Sequence, residues 1–125
     1  MFRDDAQACR AIRGLLHGVR LEHLWTLQGP TEEALSCLRT GGPYSAGEVL
    51  MLRVAFDLWN GEGHAEIATL LATLDAHNAS LLLDLLRALW DLDPSVDDSS
   101  EAVERWIERQ HPRAPKLQAV DGGRS

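Results

Sequence analysis

The chain is poor in the residues that build sheets. It has 2 Phe, 1 Tyr and 3 Ile in 125 residues, against 21 Leu and 15 Ala, a balance that favours helices over strands. Cysteine is scarce as well. Cys9 and Cys37 stand 28 residues apart with no C-x-x-C, which excludes a disulfide-stapled miniprotein and a four-cysteine zinc site. Long apolar runs are missing. The densest stretch, Leu81 to Leu92, is broken by Asp84, Arg87 and Asp91 and cannot span a bilayer. The opening Met1-Phe2-Arg3-Asp4-Asp5 turns acidic with no apolar run behind it, so no secretory signal is expected. Asn78-Ala79-Ser80 is then a chance match to the glycosylation sequon. A cytoplasmic chain with both thiols reduced is the expectation. Lysine occurs once, as Lys116, beside 11 arginines, a bias expected of a GC-rich bacterial genome. Positive charge is also short: 12 bases against 19 acids give −7, and generic attraction to nucleic acid is not expected.

What is present suits a globular domain. Hydrophobic residues make up 45% and charged residues 25% of a 13.8 kDa chain, enough for one domain. The expected division is a single helical domain over 1–111 and a mobile tail over 112–125, where apolar content falls and Gly122-Gly123 appears. The fold expected is an all-α bundle of five to seven helices. Apolar spacing places the first helix over about Asp4 to Gln28 with a bend near Gly18–Arg20. Gly29-Pro30-Thr31 starts a short second helix that stops at Gly41-Gly42-Pro43. Ser45 and Glu48 form a capping box opening a helix to Asn60-Gly61. A short helix over about Ala65–Leu74 follows, and Asp75 caps another over about 76–92, which Pro94 stops. Asp98 and Glu101 open the last helix. The 46–60 and 76–92 helices each carry one narrow polar line, such as Arg53, Asp57 and Asn60, on an otherwise apolar surface. That width marks them as the inner pair of the bundle, or as helices that also face a partner.

Four features are candidates for function. Arg10, Arg13, His17 and Arg20 are spaced 3, 4 and 3 apart, which gathers them within roughly 80° of one helical face. Such a stripe is either a site for a polyanion or an acidic partner, or a solvated face opposite Ala8, Ile12 and Leu16. Charge is unevenly divided: residues 1–29 carry 4 arginines and 3 acids, residues 30–93 carry 3 arginines and 10 acids. The acidic middle of one copy is therefore a possible receptor for the basic stripe of another. Trp25, Trp59, Trp90 and Trp106 each fall near a helix end, where they serve as core closures or as interface anchors. The loop Trp59-Asn60-Gly61-Glu62-Gly63-His64 has two glycines that would let backbone amides gather round an anion. Its spacing fits neither phosphate-binding fingerprint, and Glu62 opposes an anion, so a tight connection is the simpler reading.

Other chemistries find no pattern. The five histidines are scattered, H-E-x-x-H and paired E-x-x-H are absent, and His17 and His23 lie six apart, on different sides of a helix. No G-x-S-x-G is present. A helix-turn-helix over residues 65–92 would turn Asp84 and Asp91 toward phosphates, the wrong sign. No catalytic residue, cofactor or metal is therefore assigned. The expectation is a non-enzymatic bacterial cytoplasmic interaction or assembly module that acts through helical faces, with self-association a specific possibility. The alternative is a nucleic-acid-associated accessory protein that uses the stripe on the first helix.

Overall fold

Asp4 begins the first helix by turning its carboxylate onto the backbone N–H of Gln7, at 2.8 Å. That helix, α1 (Asp5–His17), opens a computed structural model that describes residues 1–92 and 98–110. The expected continuation to Gln28 does not occur. Gly18 ends α1, Arg20 sits at φ 62°, and a 3₁₀ turn over Glu22–Leu24 leads into two short strands. β1 (Trp25–Thr26) pairs antiparallel with β2 (Gly29–Pro30). Leu21, Leu24, Trp25 and Leu27 make a run too short for period to separate helix from strand. Gly29, at φ 137°, takes a conformation that a side chain would resist.

The remaining boundaries follow their caps. Thr31 accepts the Ala34 N–H and starts α2 (Glu32–Thr40), with Glu32 and Glu33 in its electropositive first turn. Pro30 lies in β2, outside the helix that it was expected to open. Gly41, left-handed at φ 81°, closes α2. Ser45 and Glu48 form the reciprocal capping box of α3 (Ala46–Asn60), and Gly61 at φ 79° ends it. After α4 (Ile67–Thr73), Asp75 accepts the Asn78 N–H to begin α5 (Ala76–Leu89), three residues shorter than expected. Asp98 accepts the Glu101 N–H at the start of α6 (Ser99–Gln110). Pro94 and the expected tail, 112–125, lie outside the described residues. The described residues thus form an all-α bundle of six helices with one two-stranded ribbon. None of those helices is long and apolar enough to cross a membrane.

One correction concerns positions inside the bundle. α3 is an inner helix as expected, but its counterpart is α1, which packs on both α3 and α6, whereas α5 lies against α6. The reason is side-chain size. Ala8, Ala11 and Gly14 let neighbours approach α1 closely, and a Cβ added at Gly14 would stand 3.1 Å from the Trp106 ring. Two apolar clusters meet along α1. Ala11 and Leu15 join Met51, Val54, Leu85 and Trp106 on one side. Cys9, Ile12 and Leu16 join Leu24, Trp25, Leu52 and Phe56 on the other. α5 sends Leu82, Leu85, Ala88 and Leu89 inward and leaves its opposite side open.

A polar seam closes α1 against α6. Gln7 is fully buried; its side-chain carbonyl accepts the Arg3 N–H, and its amide nitrogen donates to the Ser100 carbonyl and to Glu104. Arg10 clasps Glu104 through two bonds of 2.7 and 2.6 Å, the paired geometry that makes such contacts strong. The Arg10 guanidinium holds the Glu104 carboxyl down to about 2, with Gln7 and Arg3 acting in the same sense against partial burial. A carboxylate lowered on folding stabilises the fold above its unfolded value and loses that contribution as pH falls toward the folded one. Stability of the Glu104→Gln variant should therefore fall less steeply than wild type between about pH 4.5 and pH 2, as read from urea midpoints across that window.

Candidate interaction surface

The predicted basic stripe is only partly assembled. Arg10, Arg13 and His17 lie on α1, but Arg20 leaves the line because the helix has ended. The three that remain are turned toward protein groups. Arg10 holds Glu104. Arg13 donates to the carbonyls of Glu22 and Trp25 and pairs with the Glu22 carboxylate at 3.7 Å. His17 Nδ1 lies 2.7 Å from the same carboxylate. Their work is to hold α6 and the 3₁₀ turn against α1. Arg20 alone among the four has no carboxylate partner within the described residues.

The tryptophans divide. Trp25 and Trp106 are wholly enclosed in the two apolar clusters, so neither is available as an interface anchor. Trp59 is half-buried and stands edge-on to Trp25, with ring centroids 5.9 Å apart. Trp90, just past the end of α5, is 69% exposed. It is the most open of the four.

The loop after α3 does gather its amides round an anion, but the anion belongs to the chain. Asp57 Oδ1 accepts the Gly63 and His64 N–H groups and Oδ2 accepts that of Ala65, each at 2.9 Å. One turn earlier Arg53 donates to the Gly63 carbonyl at 3.1 Å. The polar line that the sequence shows on α3 is therefore a latch for the segment that delivers α4. Its signal was legible, since two polar residues on a wide apolar helix need partners, and a glycine-rich loop offers free amides. Gly63 is required by space: a Cβ there would stand 1.8 Å from the Arg53 carbonyl oxygen. His64 pays with a left-handed backbone at φ 57°.

The helix so delivered is scarcely buried. No residue of α4 is enclosed; Leu70 and, just beyond, Leu74 pack partly against the core. Ile67 and Leu71, one turn apart, are 75% and 82% exposed. α5 continues the theme with Leu83 and, seven residues on, Trp90, and Leu92 follows. Single exposed apolar residues are ordinary; among the described residues, five of the eight large apolar side chains left exposed fall between Ile67 and Leu92. Sequence reasoning missed Ile67 and Leu71 as outward residues. Ile67, Leu70, Leu71 and Leu74 recur as a buried stripe does, and period alone does not say how wide the covered part is.

On its other flank α4 borders an open groove of about 430 Å³ whose lining includes Tyr44, Val49, Leu50, Arg53 and Thr69. Two of its polar groups are engaged: Tyr44 donates to Glu33 at 2.9 Å and meets His23 Nε2, and Arg53 serves the latch and the Leu38 carbonyl. Burial, then the Glu33 carboxylate, push the phenol of Tyr44 up to about 12. Cys9 and Cys37 are free and buried, and burial raises both thiols above their ordinary value, which leaves them poor nucleophiles. Among the described residues no group of His, Cys, Asp or Glu is placed to hold a metal ion. No family model matches the chain, and neither a curated protein nor a solved structure does.

Two outcomes follow from this geometry. Gly63→Ala should lower unfolding free energy by on the order of 2 kcal/mol, and amide exchange over residues 67–73 should quicken more than exchange in α1. In an ultraviolet pH titration the chain's single tyrosine should ionise near pH 12, and Glu33→Gln should bring that midpoint down.

Proposed function

We propose that the chain is a non-enzymatic interaction module that binds another protein through the outward side chains of α4 and α5. The observation that carries this reading is the pair Ile67 and Leu71, largely exposed on a helix that encloses none of its residues. A helix serving only its own bundle buries its apolar stripe. Here the latch spends a carboxylate and three amides to hold in place a helix with little core contact. Trp90 adds the residue type that most often anchors a protein interface. Buried thiols with raised pKa values support a role without catalysis. Free cysteines and the arginine-for-lysine bias support a bacterial cytoplasmic setting. The polyanion alternative is weaker, because Arg10 and Arg13 would have to give up Glu104 and Glu22 to serve it.

The test is capture by the immobilised full chain, run in parallel with an Ile67→Ser/Leu71→Ser variant of matching circular dichroism. A polypeptide held in stoichiometric amount by wild type and lost from the variant is the expected result. Equal retention by both proteins, or no complex with either at low and moderate salt, would overturn the proposal.

A further inference from the structure

We infer that the partner of this surface is a basic amphipathic helical segment, its apolar side seated on Ile67, Leu71, Leu83 and Trp90. This inference rests on the interaction reading above and adds the chemistry of the occupant. Its ground is the charge around the apolar residues. Residues 61–92 carry Glu62, Glu66, Asp75, Asp84 and Asp91 against a single arginine, Arg87. All six side chains are exposed, and none has an ion-pair partner among the described residues. Carboxylates are spread along the same stretch as the apolar residues. Glu66 immediately precedes Ile67, Asp75 stands between the two helices, Asp84 follows Leu83, and Asp91 follows Trp90.

That arrangement selects among occupants. A second copy would bring the same acidic stretch, and in its basic stripe Arg10 and Arg13 are already held by Glu104 and Glu22, so like charges would meet like. An acidic or nucleic-acid partner meets the same repulsion. A helix with leucine-type residues on one side and lysine or arginine at the margins satisfies both the apolar residues and the carboxylates. Helix-in-groove recognition of this kind reads apolar anchors one and two turns apart, and Ile67–Leu71 and Leu83–Trp90 offer that spacing.

The experiment is a nuclear magnetic resonance titration of the full chain with three synthetic helical peptides of one pattern. The first carries leucine and lysine, the second leucine and glutamate, the third glutamine and lysine. The leucine–lysine peptide should bind and shift amides of α4 and α5, and added salt should weaken it. Ile67→Ser/Leu71→Ser and, separately, Trp90→Ala should each weaken binding about tenfold. The Glu62→Gln/Glu66→Gln/Asp84→Asn variant should lose most of the salt dependence with its fold intact.

Equal binding of the glutamine–lysine peptide would reduce the effect to bulk charge and overturn the inference. So would equal binding of the leucine–glutamate peptide, or shifts confined to α1 and the strands. A dimer in light scattering that Ile67→Ser/Leu71→Ser dissociates would give the surface to a second copy. Carbodiimide coupling of the chain's one lysine, Lys116, to Glu66 or Asp75 at any dilution would give it to the chain itself. A captured partner that requires Ile67 and Leu71 but presents an acidic or uncharged segment would overturn this inference alone and leave the interaction reading standing.

Discussion

The clasp of Arg10 on Glu104, with Gln7 buried beside it, is the contact that the arrangement of the bundle depends on. Apolar packing tolerates small slides between helices, whereas a two-bond guanidinium–carboxylate pair has one geometry. It sets how far along α1 the last helix lies, and so brings Trp106 over Gly14. Gln7 deepens the constraint, because a buried amide left without partners costs more than a lost contact. Both its oxygen and its nitrogen are satisfied only when Arg3, Ser100 and Glu104 stand where they do. With α6 placed, α5 packs along it, and the interior position that its apolar width had promised goes to α1.

The same economy governs the outer part of the molecule. α3 needs partners for Asp57 and Arg53, the loop needs partners for the amides of Gly63, His64 and Ala65, and each supplies the other. An anion cradle is thereby filled from within. Hydrogen bonds at its entrance, more than burial, fix where α4 starts. Its apolar residues are consequently free to serve an outside surface, a division of labour that suits the proposed role.

Much of the fold was legible because caps are local. Ser45 with Glu48, Asp75 and Asp98 each accept the backbone N–H that their position promises, and Gly41 and Gly61 end their helices as glycines do; the caps Asp4 and Thr31 were not singled out. The ribbon over residues 25–30 was not legible. Its pairing spans two residues a side, too few for an alternating pattern to show. The candidate site was half visible. Arg10, Arg13 and His17 all lie on α1, but spacing within a helix is silent about carboxylates 94 residues away, as Glu104 is from Arg10. Trp25, Trp59, Trp90 and Trp106 look alike in sequence and range from wholly enclosed to largely open, since burial at a helix end depends on what crosses it. The exposure of Ile67 and Leu71 was invisible for a related reason: their period is that of a core stripe.

That separation of 94 residues also bears on the order in which the chain can fold. During synthesis α1 emerges first and α6 last of the described helices. The long connection between them must close before the clasp rewards it. Until then both apolar sides of α1 are only partly covered, by α3 and by the ribbon region. A nascent chain thus carries its most enclosed helix unfinished until the last of the described helices has emerged, and the joining of α1 to α6 completes the described bundle last.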